Sequence, residues 1–268
     1  AQILDEHRLA TRGGNRMTGQ ATTDRRARPY GWRAKLGLIV PPTNSVNEGE
    51  WRRVLPPGVT LHVTRMRLHT DTQSEEGKRH LLADVREASR DLAAAGVDAI
   101  AYGCTAGSLV LPLDWLTAQV AAAVGVPAVA TGPAIVLALR ALGLRRIAVA
   151  TPYHEALNQH EAHFFAACGL EVVTIAGLGI GAGGPQEYPQ IARLPAERVK
   201  AHALAAAAAG GDALVLSCTD LATLGLHEEL ERSLGRPVVS SNQATLWAAL
   251  AAAGLESGLV SWGALMPG

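Results

Sequence analysis

From Trp32 onward, short apolar runs of strand length alternate with longer Ala- and Leu-rich stretches of helical length, and the same order comes twice. A strand buried on both faces reads as an unbroken apolar run and each parallel crossover supplies a helix, so the pattern predicts an α/β fold with parallel sheets. In the first set the predicted strands are Leu36–Val40, Thr60–Thr64, Val97–Ala101 and Ala128–Ala130, with helices through Glu50–Arg53 and Glu75–Ala95. In the second they are Arg146–Ala150, Glu171–Ile175, Ala213–Leu216 and Pro237–Val239, with helices near Glu155–Cys168, Pro195–Ala209 and Leu226–Leu234.

The letters repeat as well as the pattern. Lys35–Pro42 echoes Arg146–Tyr153, and Val126–Ala130 leading into Pro133–Leu142 echoes Arg236–Ser240 leading into Gln243–Ala252. The expectation is two similar doubly wound parallel-sheet domains related by a pseudo-twofold axis. The first covers residues 33–133, completed by the C-terminal segment 243–268, and the second covers 134–242. In such sheets ligands bind beyond the carboxyl ends of the strands, which places the site in the cleft between the halves.

Residues 1–32 break the pattern, with Arg8, Arg12, Arg16, Arg25, Arg26 and Arg28 scattered among polar residues and no apolar period. They read as a polar tail. Met17 offers an internal start; an Arg-rich targeting peptide is the alternative, without an apolar or amphipathic stretch to support it.

Composition narrows the partners. Lys plus Arg and Asp plus Glu are 24 each in 268 residues, so no global field attracts nucleic acid or an anionic membrane, and a small molecule is favoured. No apolar run approaches the roughly 20 residues needed to span a bilayer. Three cysteines in a chain of this size make no secreted disulfide framework, which points to a reducing cytoplasm with free thiols.

Two of those cysteines carry the candidate chemistry. Tyr102–Ser108 and Leu216–Leu221 each place a cysteine where an apolar run ends and a small-residue turn begins. Cys104 and Cys218 therefore fall at equivalent strand ends, on opposite walls of the cleft, where a pair of thiols can do nucleophilic or acid/base work.

Beyond pattern, particular residues are familiar. Val40–Glu50, with Pro41 and Asn44 before a helix carrying two glutamates, resembles the first-strand loop of the maleate cis-trans isomerases, and Thr64–Leu68 resembles their second-strand segment. The Cys104 and Cys218 segments resemble the paired cysteine motifs of the aspartate/glutamate racemase superfamily. Ala138–Tyr153 and Gly235–Ala244 are similar to arylmalonate decarboxylase and the ectoine-utilisation proteins. The resemblance covers about residues 33–265. It implies an enzyme without a cofactor or metal, acting on a small carboxylate or dicarboxylate, and a homo-oligomer.

Two departures bear on which relative applies. Arylmalonate decarboxylases carry glycine where this chain has Cys104, so a two-thiol mechanism fits better. Thr219-Asp220 instead resembles the triplet of aspartate racemases, where an acid could meet a substrate ammonium group. The resemblance thus implies maleate isomerisation with Cys104 as nucleophile and Cys218 as acid/base. Asn44, Pro41, Thr105, Ala106, Tyr153, Thr219 and Asp220 are the candidate substrate-binding residues. The alternatives are an amino-acid racemase, an arylmalonate-decarboxylase-like enzyme, and a carboxylate-binding protein without turnover.

Other features read as structural. Cys168 is expected in core packing. Gly179–Gly184 matches the dinucleotide-binding glycine pattern, yet Pro185 and Pro189 follow where a helix should open, so a lid loop is expected. His154, His160 and His163 read as a solvated helix face, since the spacing of His160 and His163 is one residue short of the zinc-protease motif. Arg65 and Arg67 share a side if their strand continues, and a cleft role and a surface role stand equal.

Overall fold

The computed structural model describes residues 25–268. The tail residues Arg8, Arg12, Arg16 and Met17 lie outside the described residues. Arg25–Ala27 forms a short 3-10 turn, and Arg25 and Arg28 both pair with Asp98 at 3.0 Å.

The first half holds β1 (Ala34–Val40), α1 (Asn47–Val54), β2 (Val59–Arg65), α2 (Glu75–Ala94), β3 (Ala99–Tyr102), the single turn α3 (Thr105–Ser108), α4 (Trp115–Val124), β4 (Ala128–Ala130) and α5 (Thr131–Ala141). The second holds β5 (Arg146–Tyr153), α6 (Glu155–Ala167), β6 (Glu171–Ile180), a 3-10 segment Pro185–Arg193, α7 (Ala196–Ala207), β7 (Ala213–Leu216), α8 (His227–Leu234), β8 (Val238–Ser240) and α9 (Ser241–Ala252). A small antiparallel pair, β9 (Ser261–Trp262) and β10 (Met266–Pro267), ends the chain.

Both main sheets are parallel and four-stranded, with orders β2-β1-β3-β4 and β6-β5-β7-β8. The second repeats the first, strand for strand. In each, the chain runs outward from its first strand and then back to the other side, so the switch points lie between β1 and β3 and between β5 and β7. The turns that carry Asn44 and Cys104, and the strand end at Tyr153 with the turn that carries Cys218, lie at these points.

Differences from the predicted elements have local causes. Helix α1 starts at Asn47 rather than Glu50, because the Asn44 side chain accepts from the Val46 and Asn47 amides at 3.2 and 3.1 Å and begins the turn early. Strand β6 runs on to Ile180 past a register shift against β5, well beyond the predicted Ile175. Helix α4 was not predicted: its Ala-rich sequence carries too few polar positions to show a helical period.

One core joins the halves. Residues of β1, β3 and α5 pack in a single cluster with residues of β5, β7 and α9. Helix α9 is buried along nearly its whole length, its polar first turn (Ser241, Asn242 and Gln243) included, and it lies against α5, α1, β3 and β4. A capping box fixes its start: Ser240 Oγ accepts from the Gln243 amide, and Gln243 Oε1 accepts from the Ser240 amide, each at 3.3 Å. No helix among the described residues is long and apolar enough to cross a membrane.

Candidate active site

Cys104 follows β3 with extended backbone and caps the turn α3, its sulfur accepting from the Gly107 amide at 3.3 Å. Cys218 follows β7 in the same way, its sulfur accepting from the Asp220 amide at 3.3 Å. Both are buried free thiols. A small polar lattice ties the two turns together. Ser241 Oγ, at the start of α9, accepts from the Cys218 amide at 3.0 Å and makes a hydroxyl–hydroxyl hydrogen bond with Thr105 Oγ1 at 2.9 Å. Thr219 Oγ1 donates to the Gly103 carbonyl and receives Asn44 Nδ2, both at 3.0 Å.

The predicted residues thus converge, but several of their polar groups serve the lattice. Asn44 is engaged at both ends of its amide, and Thr105 and Thr219 spend their hydroxyls between the halves. Pro41 and Tyr153 are buried at the ends of β1 and β5, while Ala106 is half-buried in α3. Asp220 Oδ1 accepts from the Ser45 amide at 2.7 Å, whereas its Oδ2 is buried without a partner. Arg65 braces the same loop from outside, donating to the Asn44 carbonyl at 2.6 Å. Strand β2 ends at Arg65, so the shared-side argument for Arg67 does not apply.

Charge separates the two walls. Burial pushes the Cys104 thiol up, opposed by the Gly107 amide and by the Tyr102 hydroxyl that faces it. Burial pushes Cys218 much further up, reinforced by the Asp220 carboxylate and by Cys104, against weaker help from Tyr153 and its own turn. Asp220 is itself raised to about 6 by burial, with the Ser45 and Val46 amides and Arg65 holding it down. Behind Cys218, Glu161 of α6 is fully buried, accepts from Ser217 Oγ, leaves Oε2 unpartnered and is raised by burial to about 7.

Several of these residues escaped sequence reasoning. Tyr102, Ser241 and Glu50 lie inside the segments singled out above without an assigned role, and Glu161 carried no motif. Glu50 Oε1 accepts from the Thr223 and Leu224 amides at 2.5 and 2.7 Å, and its Oε2 from Asn242 Nδ2 at 2.7 Å, which locks α1 of one half to the loop after Cys218 in the other. The repeat did hold a signal for Ser241: Thr131 occupies the equivalent helix start and donates to the Tyr102 carbonyl at 3.1 Å. Tyr188, in the 3-10 segment, has its ionisation raised by burial and by the nearness of both thiols.

The features read as structural are placed as follows. Cys168 is half-buried at the end of α6 and packs against the core. His160 corrects the expected solvated face: it is half-buried, and its Nε2 lies 3.1 Å from the Leu109 carbonyl of the first half. Gly179–Gly184 ends β6 and turns into the 3-10 segment, with Gly181 donating to Glu187 Oε2 at 2.7 Å. Among the described residues no group of three or more His, Cys, Asp or Glu side chains is placed to hold a metal ion.

Known proteins resemble this chain over most of its length. The arylmalonate decarboxylase family model matches residues 36–266. The chain is 32% identical to arylmalonate decarboxylase of Bordetella bronchiseptica, over 82% of this chain and 90% of that protein. It is 30% identical to maleate isomerase of Nocardia farcinica, over 81% of this chain and 88% of that protein. Among solved structures, a cysteine-to-serine mutant of the Nocardia farcinica maleate cis-trans isomerase, with a covalently bound succinylcysteine intermediate, superposes with a TM-score of 0.77 at 27% identity, covering 87% of this chain and 98% of that one. A crystal structure of arylmalonate decarboxylase superposes with a TM-score of 0.73 at 29% identity, covering 87% and 98%.

Proposed function

The chain belongs to the arylmalonate decarboxylase family, and from that premise we propose that it is a two-cysteine isomerase that converts maleate to fumarate through a covalent thiolate adduct. The observation that carries this reading is the pair of buried thiols on facing turns, one of them easier to ionise than the other.

Rotation about a carbon–carbon double bond requires its π component to be broken. The Cys104 thiolate does this by adding to one alkene carbon. The displaced electron pair spreads onto the carboxylate of the neighbouring carbon as an enediolate, and the Cys218 thiol, which holds its proton more tightly, protonates that carbon. The former double bond is now single and turns. Cys218 then takes the proton back, the electron pair re-forms the double bond, and Cys104 leaves as thiolate.

The developing charge needs donors fixed in advance, because donors already in place cost no reorganisation as the charge appears. The backbone amides of Thr105, Ala106 and Thr219, the remaining Nδ2 hydrogen of Asn44 and the Tyr153 hydroxyl supply them, with Pro41 as an apolar wall. Asp220 holds the Ser45 loop in place. The setting that accompanies this reading is a cytoplasmic homo-oligomer.

The test is a proton NMR time course of the reduced protein with maleate, and with phenylmalonate as the decarboxylation control. Fumarate is expected from maleate. Phenylacetate from phenylmalonate without fumarate from maleate would transfer the chain to the decarboxylase chemistry.

A further inference from the structure

Each thiol faces a tyrosine, but the two tyrosines come from different places. Tyr153, expected from the sequence as a substrate-binding residue, reaches Cys218 from the end of β5. Tyr102 sits on the same segment as Cys104, two residues before it, and Cys104 continues the extended backbone of β3. Side chains two apart on an extended chain project to the same side, so phenol and thiol leave the strand together. Both are buried in one cluster with Val85, Leu116 and Met66.

Gly107 shows how closely they converge. A Cβ added there would stand 2.2 Å from the Tyr102 hydroxyl oxygen and 3.2 Å from the Cys104 sulfur. Gly107 lies within the helical turn and has no left-handed backbone, so space, not conformation, excludes a side chain. The gap holds the phenol oxygen on one side and the sulfur on the other, while the Gly107 amide donates to the same sulfur. Burial and the facing sulfur push the ionisation of Tyr102 well up, so its hydroxyl keeps its proton when the thiol loses one.

We propose that Tyr102 is the positioning residue that keeps Cys104 reactive, its hydroxyl offering a proton to the sulfur across the gap that Gly107 leaves open. Acting with the Gly107 amide, it gives the thiolate two donors. The proposal rests on Cys104 being the attacking thiol.

The experiment is alkylation of the reduced, full-length protein with iodoacetamide over a pH series, with each cysteine followed by peptide mass spectrometry and Cys168 as internal reference. Losing one such donor is expected to slow Cys104 labelling in Tyr102→Phe by roughly threefold to tenfold at neutral pH. The midpoint of its rate–pH curve should move up by about half to one pH unit. The rates should converge at the alkaline plateau, with Cys168 unchanged. Gly107→Ala keeps the phenol but displaces it, and is expected to move the curve in the same direction; it decides the matter if Tyr102→Phe does not fold. Superimposed Cys104 curves, or a change at Cys168 in step with Cys104, would overturn the proposal. Labelling needs no turnover, so a failure to isomerise maleate would sink the reaction assigned above and leave this comparison readable.

Discussion

The two thiol walls occupy equivalent places in a duplicated fold, yet their surroundings differ in kind. Cys104 is faced by neutral donors: the Gly107 amide and the Tyr102 hydroxyl. Cys218 has a matching amide and a phenol, but also the Asp220 carboxylate beside it and the Glu161 carboxyl behind Ser217. Duplication therefore sets where a thiol stands, while a few neighbours set whether it gives up or keeps its proton. An addition mechanism needs that asymmetry, since two thiols of equal acidity would divide nucleophile and acid poorly.

The largest test of the asymmetry removes each sulfur in turn. Cys104→Ser should abolish adduct formation and reduce fumarate production about 1,000-fold or more, whereas Cys218→Ser should lose about 100-fold or more while still accumulating adduct with maleate. Intact-mass spectrometry separates the two outcomes. Equal adduct levels in both variants would show that the roles are not divided as assigned.

Next comes the carboxyl behind the Cys218 wall. Glu161 has a folded pKa of about 7 against an ordinary 4.5, so the folded chain prefers it uncharged. Its stabilising contribution is fully present below 4.5 and is lost as pH rises through about 7. Relative to wild type, Glu161→Gln should therefore gain about 3 kcal/mol between pH 4.5 and 8, an upper figure for a fully buried group. Urea unfolding at several pH values measures it, and a stability difference that stays flat with pH would rule out the charge account of this wall. His227 titrates in the opposite sense. Burial lowers it from 6.5 to about 4, so its contribution is present above 6.5 and fades as pH falls toward 4; it cancels in the comparison of wild type with variant.

The smallest effect is the most local. Asp220→Asn keeps an oxygen for the Ser45 amide but removes the negative charge beside Cys218. Cys218 should then label about tenfold faster with iodoacetamide at a given pH, one pKa unit being a tenfold change, while Cys104 changes less. A larger gain at Cys104 would reverse the assignment of that charge to the Cys218 wall.

Much of this arrangement could be read from the letters. The paired strand runs, the matching openings Lys35–Pro42 and Arg146–Tyr153, and a cysteine after the third strand of each half were local patterns, so they predicted parallel sheets and two thiols at strand ends. His160 was misplaced because a histidine on a helix of mixed polarity gives no sign of meeting a carbonyl of the other half; Leu109 lies 51 positions away. Glu161 was invisible for a related reason. In sequence it is one carboxylate on a helix rich in polar residues, and only packing of α6 against Ser217 strips its water.

The sequence by itself determined the order of the eight sheet strands, the duplication and the positions of Cys104 and Cys218, because hydrophobic period and turn chemistry act between near neighbours. The tertiary structure alone decided that Ser241, Thr219, Asn44 and Glu50 bind the halves across the cleft, and that the two thiols differ in acidity. Desolvation and charge depend on what surrounds an atom in space, and the groups that act on Cys218 come from separate stretches of the chain, at Cys104, Tyr153, Asp220 and Ser241.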